Sequence, residues 1–383
     1  MSTTEPSLRR NRTARLVALV LFAIALSAPV AGMIAGYGGG VAAIEFRKPA
    51  PLPGIPASRA EIDSWPSEMD AFLEDHFGFR SQLLSLNSRL HVALGVSPTE
   101  KFVIGTDGWF YLRDIDHVLD QYRGVDRFSD EELETWVATM EEHQRWLAAR
   151  EIRMLIAIAP MKQTIYPEHL PDWANVVDEE RRYVQLVERL ADGSSLEVVD
   201  LHGPLHRAAE ENRVYHKTDG HWNQLGAHAA YVALIERIRE THPEVPLRGL
   251  DWFDVSWERE AVGTITHRLN IGMSTPEELP KLKPRSGTHV LRTEFPDGNP
   301  LGPLGVLHAT QVIESDLPSR PKILLLRDSF ANDLARFVPE SFARTVLVHH
   351  GYGHFRRRLI LEHEPDIVVY EMIERGLEWE LQP

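Results

Sequence analysis

The chain contains no cysteine, which removes thiol nucleophiles, thiolate metal ligands and disulfides together. It also lacks a basic excess. With 41 Lys and Arg against 56 Asp and Glu, the formal net charge is -15, so nothing is in surplus to neutralise phosphates and nucleic acid is not an expected partner. The total does not bar an anionic polysaccharide, because salt screens charge over about 8 Å and a local patch can outweigh the sum. Arg356-Arg357-Arg358 is either such a patch or a solvated helix face. There is no internal repeat and no H-E-x-x-H spacing. His216, Asp219, His221 and His228 lie close enough in sequence to suggest a metal site, but without a recognised ligand spacing, and neither metal nor cofactor is expected.

What is present begins with a basic N-terminus. Arg9, Arg10, Arg12 and Arg15 precede an uncharged stretch from Leu16 to Ile44 that opens with eleven apolar residues, Leu16 to Leu26. A membrane span needs roughly 20 largely apolar residues, and a cleavable signal core about 7 to 15. Ser27-Ala28-Pro29 or Val30-Ala31-Gly32 offers a cleavage region, but the length favours an uncleaved signal anchor, with the basic tail (1–15) inside and the chain outside. The division expected is then a cytoplasmic tail (1–15), an anchor (16–44), a stiff proline-rich linker (45–57) and a folded domain from Ser58 to the last residue (58–383).

Within that domain, apolar residues recur at helical spacing from Trp65 to Leu94, interrupted at Asp75 to Arg80, which predicts two helices around a turn. Phe102 to Gly105 and Gly108 to Leu112 flank Thr106-Asp107, a hairpin with an Asp-Gly turn signal. Thereafter helices are predicted at Ser129 to Arg150, Asp178 to Leu190, Asn223 to Arg239, Ala331 to Phe337 and His354 to His363. Strands are predicted at Ile152 to Ala159, Leu196 to Leu201, Ile323 to Leu326, Thr345 to Val348 and Ile367 to Tyr370. Such alternation means an α/β fold, a parallel sheet with helices on both faces. The interval 249–320 breaks the rhythm and is either a β-rich insertion or a long loop system.

Two short segments carry the chemistry. Lys217-Thr218-Asp219-Gly220-His221-Trp222 holds an acid and a base, and Arg327-Asp328-Ser329-Phe330 follows a buried strand and holds a nucleophile. A serine after a strand is exposed at the carboxyl edge of the sheet, where ligands of open parallel sheets bind. There His221 can accept its proton and Asp219 can orient the imidazole, while backbone N–H groups of a following helix face a developing oxyanion. Gly220 permits an unusual backbone angle. Each segment alone has a plainer reading: Asp328 or Ser329 as an N-cap, Asp219 and His221 as surface loop residues.

Together with Asp75-His76-Phe77-Gly78-Phe79-Arg80, Gly105-Thr106-Asp107-Gly108-Trp109-Phe110-Tyr111, Pro160-Met161-Lys162, Ile165-Tyr166-Pro167-Glu168 and Glu374-Arg375, these segments stand in the order found in the AlgX/AlgJ-like polysaccharide O-acetyltransferases. The chain resembles that family over about residues 60 to 380. The resemblance implies an SGNH-hydrolase-like domain in which Ser329 is the nucleophile, His221 the base and Asp219 its orienting acid. It further implies acetyl transfer through an acetyl-serine to hydroxyls of an exported polysaccharide, and a membrane-bound O-acyltransferase that supplies the acetyl group. With Glu374-Arg375 near the last residue and an N-terminal anchor, the likeness is closer to the AlgJ branch than to AlgX, which carries a C-terminal carbohydrate-binding module. The location expected is the inner membrane, single-pass, with the catalytic domain in the periplasm.

Four further residues are expected near substrate. Lys162 follows a strand and is placed to touch it, Trp222 either stacks on a sugar or packs against the sheet, and Tyr352 lies in a Gly-rich loop. Arg327 stands where the family has glycine before Asp-Ser, so it either crowds the turn or binds an anionic substrate. Two other functions remain open on the same residues: an esterase in which water replaces the sugar, and a non-catalytic polysaccharide-binding or scaffold subunit of an export complex.

Overall fold

In the computed structural model, residues 5–37, 48–261, 263–272, 275–296, 309–317 and 319–382 are described. The distal part of the expected anchor (38–44) and the start of the linker (45–47) lie outside the described residues, as does part of the interval 249–320. The chain divides into two compact units, Met1–Pro98 with Thr266–Ser274, and Thr99–Ile265 with Thr275–Pro383.

The first unit contains helix α1 (Glu5–Ile34), helix α2 (Arg59–His76) and helix α3 (Arg80–Ala93). Ser58 caps α2 by accepting from Glu61 N–H. The segment Arg12–Ile34 has mean hydropathy 2.4 and is long and apolar enough to cross a membrane. Asp75, at the end of α2, is buried and accepts from Ala50 N–H at 2.7 Å, which ties the proline-rich segment to the helix pair.

The second unit is built on a seven-stranded sheet of order β4-β3-β11-β9-β10-β8-β7. Strands β3 (Arg153–Ala159), β4 (Val198–Val199), β9 (Lys322–Arg327), β10 (Arg344–His349) and β11 (Ile367–Ile373) are mutually parallel. The expected all-parallel sheet needs correction at one side. There β7 (Val290–Glu294) and β8 (Gln311–Ser315), from the interval that breaks the rhythm, pair antiparallel and extend the sheet from β10.

Side chains of β9 alternate, as a strand requires. Ile323 and Leu325 join a core with Leu155, Val369 and the helix Gln224–Arg239, whereas Leu324 and Leu326 join one with Met154, Val368 and the helices Asp130–Ala148 and Arg357–His363. Both faces are therefore covered. Ser129 and Glu132 form a reciprocal capping box at the start of Asp130–Ala148, and Asn223 caps Gln224–Arg239 by accepting from Leu225 and Gly226; each cap satisfies backbone donors that the first helical turn leaves unpaired.

Several local expectations change. The strand at Leu196 to Leu201 shrinks to two residues, the helix at Asp178 begins at Arg182, and that at His354 begins at Arg357. A helix at His202–Glu211 has no counterpart among the predictions. The segment after Ser329 forms three short 3-10 turns, Phe330–Asn332, Leu334–Arg336 and Val338–Glu340, in place of an α-helix. The hairpin of β1 (Phe102–Ile104) and β2 (Phe110–Leu112) has Asp107 and Gly108 at φ 52° and 79°, the paired left-handed conformation of a tight hairpin turn. A longer hairpin pairs β5 (Phe253–Glu260) with β6 (Glu277–Pro284).

Candidate active site

Ser329 sits two residues beyond the carboxyl end of β9, half-buried, with its backbone already in the right-handed region. His221 Nε2 lies 2.9 Å from Ser329 Oγ across 108 residues of sequence. The other ring nitrogen, Nδ1, lies 2.6 Å from Asp219 Oδ1, and the His221 amide donates to the same oxygen at 2.9 Å. Thr264 N–H donates to Asp219 Oδ2 at 2.8 Å. Hydroxyl, imidazole and carboxylate are thus in line, with the imidazole held on both sides.

The electrostatics fit a proton relay. Burial alone would raise the Asp219 pKa, but the charge of His221 and the hydrogen bond from it hold the carboxyl well below its ordinary range. Burial opposes protonation of His221, yet the Asp219 charge and hydrogen bond prevail and raise its pKa above the ordinary 6.5. Arg375 pulls the other way, disfavouring the imidazolium.

The expected substrate contacts are placed differently. Lys162 is buried, and its Nζ donates to the carbonyls of His216, Lys217 and Asp219 at 3.0, 3.2 and 2.6 Å. Its ammonium therefore braces the loop that carries the acid and base, and burial pulls its pKa down to about 7 against the opposing pull of Asp219 and Glu277. Trp222 is wholly buried and its indole N–H donates to Phe330 O at 2.9 Å, linking the two segments; no face is left for a sugar. Arg327 points inward, with Nη1 donating to Asn332 Oδ1 at 2.6 Å and to Asp328 O at 3.2 Å. Its guanidinium is turned away from the surface, into the core. Tyr352 is exposed at φ 64°, its ring against His349 and Trp379.

Gly220 does not take a left-handed angle; it is small because Leu112 would lie 3.2 Å from a Cβ. The histidines of the suggested metal cluster diverge, since His221 is engaged by Asp219 and Ser329 while His228 Nε2 bonds Arg248 O at 2.9 Å.

Further groups support the site, and Glu277 and Glu371 among them lie in no sequence motif. Glu277, the first residue of β6, accepts from the Thr218 amide and hydroxyl and from the Lys217 amide, and pairs with Arg213. Burial works against its charge, but these hydrogen bonds lower its pKa. Asp328 accepts from Phe330 N–H at 2.7 Å and Ile373 N–H at 2.8 Å, clamping the serine turn to β11. Glu371 in turn accepts from the Asp328 amide at 3.1 Å. Glu374 accepts from Met161 N–H and the Thr164 hydroxyl, so the Pro160-Met161-Lys162 and Glu374-Arg375 motifs are two sides of one contact. Beside the relay, a cleft lined by Leu112, Val118, Gly220, Phe330, Ile373 and Arg375, among others, has an interior volume of about 10 Å³.

A largely parallel sheet with helices on both faces, and a serine at its carboxyl edge facing an Asp-x-His loop, resemble the SGNH-hydrolase-like arrangement. Residues 102–287 match the family model of the SGNH hydrolase-like domain, acetyltransferase AlgX. The chain is 27% identical over 213 residues to the probable alginate O-acetylase AlgJ of Pseudomonas aeruginosa, covering 55% of this chain and 52% of that one. The resemblance to the AlgX/AlgJ-like proteins is thereby shown, and the chain spans about half the length of the curated relatives it matches. Among solved structures, a DHHW-family protein from Eubacterium siraeum aligns with TM-score 0.54 at 16% identity, over 74% of this chain and 93% of that one. Bacillus cereus PatB1 with a sulfonyl adduct aligns with TM-score 0.52 at 16% identity, over 71% and 95%. These two likenesses concern the fold.

Proposed function

We propose that the protein is a membrane-anchored O-acetyltransferase that moves an acetyl group, through an acyl-serine, onto hydroxyls of an exported polysaccharide in the periplasm. The observation that carries this reading is the line Asp219 Oδ1, His221, Ser329 Oγ, with separations of 2.6 and 2.9 Å. Similarity to proteins named alginate O-acetylase supports the group and the acceptor class. The apolar segment Arg12–Ile34 supports the anchor, and a membrane-bound O-acyltransferase is the acetyl donor in this reading.

In the first half-reaction Ser329 Oγ attacks the donor carbonyl as His221 Nε2 takes its proton, and the same proton leaves with the departing group. The Ser329 amide has no hydrogen-bond partner among the described residues and is the donor available to the oxyanion, an interaction typically worth on the order of 100- to 1,000-fold in rate. In the second half-reaction His221 takes the proton of a sugar hydroxyl as that oxygen attacks the acetyl-serine carbonyl, and returns it to Ser329 Oγ as the acyl–Oγ bond breaks.

The test is peptide mass spectrometry of the purified protein after exposure to an activated acetyl ester. Acetyl on Ser329, lost in His221→Ala and discharged by an added glycan, is the expected result. Half-exposure of His221 leaves room for water, so an esterase is the second reading, and it predicts discharge that no glycan accelerates. Absence of any adduct in folded protein favours a binding subunit instead.

A further inference from the structure

Helix α3 is inverted relative to an ordinary surface helix. Its inward residues are serines, with Ser88 buried and Ser81 and Ser85 half-buried. Leu83, Leu86, Leu90 and Leu94 share one stripe and are exposed by 48, 55, 58 and 78%. In water the apolar stripe faces the core. Small residues packed between helices with leucines facing outward is the arrangement that lipid favours. Charge sharpens the contrast: from Phe77 to Thr99 the chain has Arg80, Arg89 and His91 but no Asp or Glu, whereas α2 carries Glu61, Asp63, Glu68, Asp70, Glu74 and Asp75.

The turn that starts α3 is seated on α1. Gly78 is buried there so closely that a Cβ would lie 2.6 Å from Met33 N and 2.8 Å from Gly32 Cα. Phe79 N–H donates to Tyr37 O at 3.2 Å, and the two rings stack with centroids 5.6 Å apart. Gly32 and Met33 belong to the last turn of the apolar segment Arg12–Ile34; at ~1.5 Å rise per residue this contact lies within about 5 Å of its end. A turn attached at that depth of a spanning helix sits at the membrane interface.

We propose that α3 lies along the outer surface of the membrane crossed by α1, with the leucine stripe sunk among the lipid acyl chains and the exposed Arg89 at the headgroups. A basic, leucine-faced helix is the form that binds in this plane. The proposal rests on the anchor reading given above, and the occupant of the stripe is lipid, not protein.

The absence of native cysteine makes single-site labelling direct. The full chain is reconstituted into phosphatidylethanolamine and phosphatidylglycerol vesicles, carrying an environment-sensitive fluorophore at Leu86→Cys, Leu90→Cys, Ile24→Cys or Glu68→Cys. All four positions are exposed, so no buried contact is lost. Doxyl-labelled lipids are expected to quench the label at positions 86, 90 and 24 more than aqueous iodide does, with the order reversed at position 68. Quenching by lipid at 24 combined with iodide access at 86 and 90 overturns the proposal while leaving the anchor intact. Shielding of 86 and 90 from both quenchers overturns it in favour of a second copy or a membrane protein on the stripe. No lipid quenching at 24 removes the anchor, and the proposal with it.

Discussion

Asp219 presents two oxygens to three donors, and replacing it by asparagine tests the relay with almost no change of shape. Oδ1 receives His221 Nδ1–H and the His221 amide, while Oδ2 receives the Thr264 amide. Asparagine has one acceptor oxygen. Placed toward His221, it turns its NH2 on the Thr264 N–H, and an unsatisfied buried donor costs about 1–3 kcal/mol. Placed the other way, its NH2 faces Nδ1 and drives the imidazole proton onto Nε2, which then cannot accept from Ser329. In both orientations the imidazolium loses its counter-charge. The expected loss in the rate of Ser329 acetylation is on the order of 10³ to 10⁴, or ~4–5.5 kcal/mol of barrier. Stopped-time mass spectrometry of the acetyl-serine peptide, run as a pH series, reads it. His221 serves as base when neutral, and Asp219 raises its pKa, so the rate in the native protein climbs with pH through a value above 6.5 and the asparagine variant moves that limb to lower pH. A variant within about tenfold of the native rate, with the limb unmoved, would refute the relay. The pair also links to stability. Asp219, held low, contributes above the ordinary carboxylate range and loses that contribution as pH falls through its folded value; His221 contributes fully below about 6.5 and loses it as pH rises through its raised value.

Three further outcomes are expected. Lys162→Met takes the ammonium donor from the His216 and Asp219 carbonyls, while Lys217 O keeps the Phe110 N–H, and should slow acetylation through a loosened loop. Because the native lysine has a folded pKa near 7 against an ordinary 10.5, the unfolded chain binds more protons between those values. Native stability should therefore rise with pH across that window relative to Lys162→Met, as chemical denaturation at several pH values would show. Arg327→Gly empties a buried site and removes the bond to Asn332 Oδ1, so a loss of about 2 kcal/mol or more is expected; a change under about 0.5 kcal/mol would contradict the inward placement of this arginine. Trp222→Phe keeps an aromatic ring in the core but removes the bond to Phe330 O. Acetylation should fall by about 10- to 100-fold, since displacement of a nucleophile on the order of 1 Å suffices, with global unfolding changed by only about 1 kcal/mol.

The parts of the fold that sequence discloses are those specified locally. Ile323 to Leu326 and Ile367 to Tyr370 are apolar on both faces and can only be interior strands, and Asn223 and Ser129 mark helix starts by their own hydrogen bonds. The antiparallel extension by β7 and β8 is not specified locally: exposed Leu291 to Glu294 has no buried pattern, and its place is set by pairing with β8. The turns after Ser329 read as a helix because Ala331, Leu334 and Phe337 recur at helical spacing; Pro339 and the Asp328 bonds to Phe330 and Ile373 instead impose tighter, broken turns. In the candidate site, residue type singles out Asp219, His221 and Ser329, which the fold brings within hydrogen-bond distance of one another. Residue type does not decide which way Lys162, Trp222 and Arg327 face, because a cation or an indole near a site looks the same in sequence whether it meets ligand or backbone; all three are buried. Glu277 went unnoticed for the converse reason: it lies in no motif, and only the fold carries it to Thr218.

The hydroxyl and the imidazole that must meet are 108 residues apart, and one rides on the central strand of the sheet. Neither half of the chain can assemble the reactive pair alone. Covalent labelling of Ser329 by a small ester is therefore a clock for the completion of folding: during refolding, reactivity should emerge only with the slowest, long-range pairing step and not with the earlier gain of helix.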